Sequence, residues 1–142
     1  MRWKSWGWAL LTGLSLLSSG CNGPKDSCEG TIDSFAGCIN GQDWECFPPL
    51  IWADHRKKFP DRVIQAWANQ EYLGDKHFKW TKVDAAVSGD VCIVRTLASW
   101  TWKIRGKNPE DHTDEYSSYT LHRQADGNWY IEIPGASKLG SY

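Results

Sequence analysis

The chain has 142 residues, with 16 Lys and Arg against 17 Asp and Glu and a formal charge of −1. That length suits one domain, and a balanced charge with no basic run leaves no electrostatic footprint for nucleic acid. Ten tryptophans and five cysteines stand out: the first supply large rings with one N–H donor each, useful in cores and on ligand-facing surfaces, and the second is an odd number for a disulfide-bonded chain.

Arg2 and Lys4 are the only charges before Lys25, and residues 6–17, WGWALLTGLSLL, are apolar or small. Such a stretch is too short to cross a bilayer core of about 30 Å as a helix, and it has the length of a signal-peptide core. Residues 1–20 therefore read as a signal peptide. Its exit is LSSGC, ending at Cys21. This resembles the lipobox of bacterial lipoprotein signals, with Ser18 where an aliphatic residue usually stands; an ordinary secretory cleavage site is the alternative. The resemblance implies that Cys21 takes a diacylglyceryl thioether and becomes an acylated N-terminus after cleavage. More than one acyl chain anchors stably, because each buried CH₂ contributes about 0.8 kcal/mol. Asn22 after the Cys resembles the outer-membrane pattern of Gram-negative lipoproteins. Residues 21–28 then form the lipidated Cys and a short polar tether.

From residue 29 to 133 the composition is globular. Ile32, Phe35, Ala36 and Ile39 follow the i, i+3, i+4, i+7 template of an amphipathic helix ending at Gly41. A second helix is predicted after FPP, through LIWADHRKKF, since proline suits a first helical turn. Pro60 breaks the chain. Residues 61–74, DRVIQAWANQEYLG, predict a third helix with Asp61 as N-cap and Gly74 as stop.

The signal then changes to strands. HFKWTKVDAAV, the turn SGD and VCIVRTLASWTWKI predict a long antiparallel hairpin. Cys92, Val94, Ala98, Trp100, Trp102 and Ile104 alternate with polar residues. Ile93 and Leu97 interrupt that alternation and imply that both faces of the strand are partly covered. GKNPEDHTD reads as a polar loop. EYSSYTLHRQ, the turn ADGN and WYIEI form a second hairpin, and residues 134–142 read as a loose tail. Helices first and strands after indicate an α+β domain, with three N-terminal helices packed on a bent antiparallel sheet of about four strands.

With Cys21 assigned to the anchor, Cys28, Cys38, Cys46 and Cys92 remain. Four cysteines in an exported chain imply up to two disulfides. Spacings of ten, eight and forty-six contain no CxxC pair, so no zinc site is expected. Cys28 and Cys38, if both helical, would lie about 15 Å apart, too far to bridge. Cys46 follows the helix end and lies nearest Cys38. The expected pairs are Cys38 with Cys46 and Cys28 with Cys92.

The first helix, TIDSFAGCINGQDWE, the two helices after it and the terminal hairpin YTLHRQADGNWYIEI resemble the nuclear-transport-factor-2-like superfamily, also called the cystatin-like or cone fold. The resemblance covers residues 29–133. It implies helices closing over a strongly bent sheet and a cone-shaped pocket between the two layers. The fold serves isomerases, cyclases and dehydratases as well as pure binding domains, so it does not choose a function. Enzymes of the fold put Asp, His and Tyr into the pocket. The residues of those types here are Asp54, His55, Tyr72, His77, Tyr116, Tyr119 and His122.

Tyr119 and Leu121 share strand parity, so a core-facing Leu121 brings Tyr119 inward and turns His122 outward. Asp54 and His55, in WADHRKK, read as a solvated helix face. His112 with Asp111, Asp114 and Glu115 reads as a solvated acidic run, with no metal expected. Trp67, Trp80, Trp100, Trp102 and Tyr119 form either a packed aromatic core or the wall of a ligand pocket. The function expected is a lipid-anchored envelope module, without cofactor or catalysis, that binds a small apolar ligand or a protein partner. The alternatives are an isomerase- or cyclase-type enzyme using an Asp or His with a Tyr donor, and an assembly subunit dimerising through the open sheet face.

Overall fold

The structure, a computed structural model, describes residues 23–73, 75–102, 108 and 110–141. The signal peptide and Cys21 lie outside the described residues. The domain is α+β, with helices on one face of a curled antiparallel sheet of strand order β1-β2-β3-β4.

Helix α1, Cys28–Gly41, starts where Ser27 caps it, its hydroxyl accepting from the Gly30 N–H at 3.1 Å. Its buried stripe is the expected Ile32, Phe35, Ala36 and Ile39, joined by Cys28 and Cys38. The helix ends at Gly41, but the left-handed position is Gln42, at φ 51°. A non-glycine residue tolerates that conformation only when it is held there. The Gln42 amide donates to the carbonyls of Ile39 and Tyr72, each at 3.3 Å, and so ties the end of α1 to the next layer.

The predicted second helix is broken up. Two 3-10 turns, Trp44–Cys46 and Pro48–Leu50, precede a short α2, Ala53–Lys58. Between them Ile51 is extended and bridges Ile131 in parallel, and the Trp52 N–H donates to the Ile131 carbonyl at 2.9 Å. Leu50 and Ile51 are fully buried. Burying both while pairing with a sheet edge needs extended backbone, and that tertiary demand overrides helix propensity. Helix α3, Asp61–Tyr72, is capped by Pro60 rather than Asp61. The Pro60 carbonyl accepts from Val63 and Ile64, and Asp61 instead pairs with Arg56 at 3.3 Å.

Strands β1 (Asp75–Ser88) and β2 (Val91–Trp102) form the long hairpin, turning at Gly89 with φ +60°. Strand β3 runs Glu110–Arg123, so the second half of the expected polar loop is strand. It zips onto β2, and the Thr101 hydroxyl donates to Asp111 at 2.8 Å. Strand β4, Trp129–Ile131, closes the sheet. Register breaks at Lys76/Lys79 and Trp80/Lys82 in β1 and at Ala98/Trp100 in β2 bend the sheet over the helices. At the first break the Asn40 side chain stands in for a strand neighbour, accepting from the Phe78 N–H at 2.6 Å and donating to its carbonyl at 2.7 Å.

The core face of the sheet carries Phe78, Cys92, Val94, Thr96, Ala98, Tyr119, Leu121 and Ile131, all buried. Both disulfides have the expected pairing: Cys28–Cys92 pins the start of α1 to β2, and Cys38–Cys46 closes the loop after α1, with Cα separations of 6.6 and 6.0 Å. Two expectations are corrected here. Ile93 points outward and is 45% exposed, while Leu97 on the same face is half-buried. The C-terminal segment forms a 3-10 turn, Ala136–Ser141, held by a fully buried Leu139.

Candidate functional site

Of the expected aromatic wall, Trp67, Trp80, Trp100 and Tyr119 pack with other rings. Phe35 is its centre, edge-on to Phe47 at 5.1 Å, Tyr72 at 5.7 Å and Tyr119 at 5.8 Å. Trp67, from α3, adds edge contacts to Phe47 and Tyr72. Across the cone Trp80 stands edge-on to Phe78 and Tyr119, and its indole N–H donates to the Ile32 carbonyl at 3.2 Å. Trp100 stacks on Phe78 at 5.8 Å. Trp102 pairs with Asp75 and Glu110 through its backbone, and its side chain lies outside the described set. Burial pushes the Tyr119 hydroxyl up to about 12, against a bond from Ser117, so it is a permanent donor.

The other acid–base residues are scattered. Asp54 is exposed and pairs with Lys57 at 3.6 Å. His77 is exposed, at φ 55° in the register break of β1. Tyr116 is 83% exposed, and Tyr72 stacks on Phe47 inside the aromatic cluster. The side chains of His112, Asp114 and Glu115 lie outside the described set. Among the described residues no three His, Cys, Asp or Glu are grouped to hold a metal ion.

One cluster does form, at the β4 edge. Leu121 and Ile131 face the core, so His122 and Glu132 face out; His122 Nε2 and Glu132 Oε1 are 2.6 Å apart. The chain passes the β4 edge at Trp52, whose ring stacks on His122 at 3.8 Å. Helix α2 then brings His55 beside them. The Ile133 N–H donates to His55 Nδ1 at 3.0 Å, which puts the proton of the neutral ring on Nε2. Gln124 accepts from the Ala53 N–H and fixes the start of α2. Strand parity placed His122 outward correctly. His55 is not on a solvated face, since it is half-buried and hydrogen-bonded. Trp52 and Glu132 were missed, although Glu132 could have been found from the same parity in the terminal hairpin.

No family model matches the chain, and no curated protein matches it. Solved structures do. A candidate ketosteroid isomerase from Shewanella frigidimarina aligns at 16% identity and a TM-score of 0.52, over 75% of this chain and 91% of its own. A candidate dehydratase of the NTF2-like family from Streptomyces avermitilis aligns at 10% identity and 0.52, over 68% and 83%. An NTF2-like protein with a cystatin-like fold from Novosphingobium aromaticivorans aligns at 17% and 0.50, over 78% and 82%. The fold is nuclear-transport-factor-2-like.

In this NTF2-like cone the buried polar side chains among the described residues are Thr31, Ser34 and Thr96. Each is spoken for: Thr31 donates to the Trp129 carbonyl, Ser34 to Gly30 and Thr96 to Ser117. The His55 cluster lies outside the cone, at the sheet edge, and acts on stability. Burial lowers the His55 pKa below 6.5; Glu132 opposes this, Lys58 and His122 add to it, and Asp54 opposes it. The unfolded chain then binds more protons than the folded one below that value, so the stabilisation from neutral His55 is complete above 6.5 and is lost as pH falls through the lowered value. The urea midpoint of the parent is expected to fall between about pH 7 and pH 5. His55→Asn keeps an acceptor for Ile133 and removes the titration, so its midpoint should fall less. Equal slopes for the two proteins would remove His55 from the linkage.

Proposed function

We propose that the chain is an exported envelope domain, anchored through an acylated Cys21, that binds a protein partner on the outer face of its sheet and performs no catalysis in the cone. The observation that carries this reading is the interior: among the described residues aromatic rings pack on one another there, and no carboxylate or imidazole is buried there. An isomerase- or dehydratase-type reaction needs a desolvated acid or base beside a donor. Tyr119 offers the donor alone. The outer face supports the binding role. Register places Ala86, Ile93 and Thr120 in one row and Ser88, Val91, His122 and Tyr130 in the next, with Val91 and Ile93 exposed. Apolar side chains bordered by Arg95 and Asp84 are the make-up of an interface core and rim. Two disulfides fit an oxidising compartment, and Asn22 favours the outer membrane of a Gram-negative cell.

The test uses the full chain in its own cells. A photo-cross-linking residue at position 93 is expected to capture one discrete protein adduct, and Cys21→Ser is expected to move the protein out of the membrane fraction. No adduct at position 93, or an equally strong one at the exposed helical position 70, overturns the interaction face. Identical fractionation of Cys21→Ser and parent overturns the anchor.

A further inference from the structure

A second surface lies on the helical side. An open groove of about 480 Å³ runs between the loop that follows α1 and one face of α3. From the loop come Asp43, Trp44 and Glu45; from α3 come Arg62, Gln65 and Asn69, spaced i, i+3, i+7 and so aligned on one face. Ala66 lies in the same stripe and leaves the floor open.

The loop is built rigidly. The Cys38–Cys46 disulfide closes it, and the Asp43 N–H donates to the Cys38 carbonyl at 3.2 Å. The Cys46 N–H donates to Asp43 at 3.3 Å, and Gln42 ties the loop to Tyr72 at the end of α3. Trp44 is half-buried, tilted against Phe47 at 6.0 Å, so its ring is braced from the core while lining the groove. A stiff aromatic ring held in place binds at little entropic cost.

The polar groups decide the ligand class. Two carboxylates accept, one guanidinium donates, and three amides, Gln42, Gln65 and Asn69, do both. A simple anion would meet Asp43 and Glu45, and a cation would meet Arg62. A sugar hydroxyl is donor and acceptor at once, and it is matched by donors and acceptors interleaved around one aromatic plate. The C–H face of a pyranose ring is the apolar surface that packs on such a plate.

We propose that this groove is a saccharide-binding site, with Trp44 as the stacking platform and Asp43, Glu45, Arg62, Gln65 and Asn69 bonding the hydroxyls. It shares no residue with the outer sheet face, so it stands or falls independently of the partner reading. The test is saturation-transfer NMR on the full chain in a sugar-free detergent, with tri-N-acetylchitotriose and maltotriose as probes. Transfer to the ring protons of at least one probe is expected, with a millimolar or tighter Kd. Trp44→Ala and Asn69→Ala should each weaken it at least about tenfold, and Trp52→Ala, outside the groove, should leave it unchanged. Asn69 is exposed on α3, so its variant keeps the test valid if Trp44→Ala misfolds. No transfer from either probe at about 10 mM, or undiminished affinity in Asn69→Ala, overturns the proposal.

Discussion

Trp67→Ala should destabilise the domain by about 3–5 kcal/mol, the range for truncating a large aromatic ring in a packed core. Trp67 is 3% exposed and lies edge-on to Phe47 and Tyr72, which in turn pack on Phe35. Removing the indole deletes its edge contacts to Phe47, between the two 3-10 turns, and to Tyr72, at the end of α3. The rings around it are fixed by one another, so the space cannot collapse fully, and a residual cavity adds to the lost transfer energy. Urea unfolding measures the effect as a lower midpoint at unchanged slope. The same variant discriminates between core and pocket. If Trp67 lined a ligand cavity, truncation would weaken binding of an apolar fluorescent probe and hardly move the midpoint. A loss below about 1 kcal/mol would mean the cone is a cavity and not a filled core, and would reopen the isomerase-type reading.

The two disulfides should differ, and the long one should matter more. Cys28–Cys92 spans 64 residues of sequence and Cys38–Cys46 spans eight. In the chain-entropy account the first restricts the unfolded chain by about 4 kcal/mol and the second by about 2.5 kcal/mol. Position adds to the difference. Cys28 and Cys92 are both buried and join the first turn of α1 to the start of β2, whereas Cys38 is buried but its partner Cys46 is half-buried after the helix end. The expected result is a larger drop in thermal midpoint for Cys28→Ala/Cys92→Ala than for Cys38→Ala/Cys46→Ala. The reverse order would show that the unfolded chain is already compact around residues 28 and 92, so that the long bridge restricts little.

The strand parity that separated Tyr119 from His122 explains why the fold diverts its histidines from the cone. Along β3 the inward positions are taken by Tyr119 and Leu121, both packed into the core. His122 can then meet only what wraps around the edge of β4, namely Trp52, and its sheet neighbour Glu132. His122 and Glu132 of the terminal hairpin therefore collect at an edge, beside His55, while the hydrophobic groups pack in the interior.

The sequence by itself determined the elements whose signals are local. The stripe Ile32, Phe35, Ala36, Ile39 fixed α1 because a 3.6-residue period has one solution, and the alternation through Cys92, Val94 and Ala98 fixed β2 for the same reason with period two. Helix rise excluded a Cys28–Cys38 bridge, and the place of Cys46 just past the helix end favoured Cys38 as its partner, the pairing the fold has. Tertiary structure decided the rest. The stretch after Pro48 has helical composition, yet Ile51 is extended because its neighbour across space, Ile131, offers an open strand edge eighty residues away. His55 is charged company by sequence and a neutral hydrogen-bond acceptor by fold, since the Ile133 N–H that binds it comes from the far end of the chain. Of the five aromatic residues that could line a cavity or pack together, Trp67, Trp80, Trp100 and Tyr119 are seen in ring contacts, and only those distances, a property of packing at long sequence separation, show the packing.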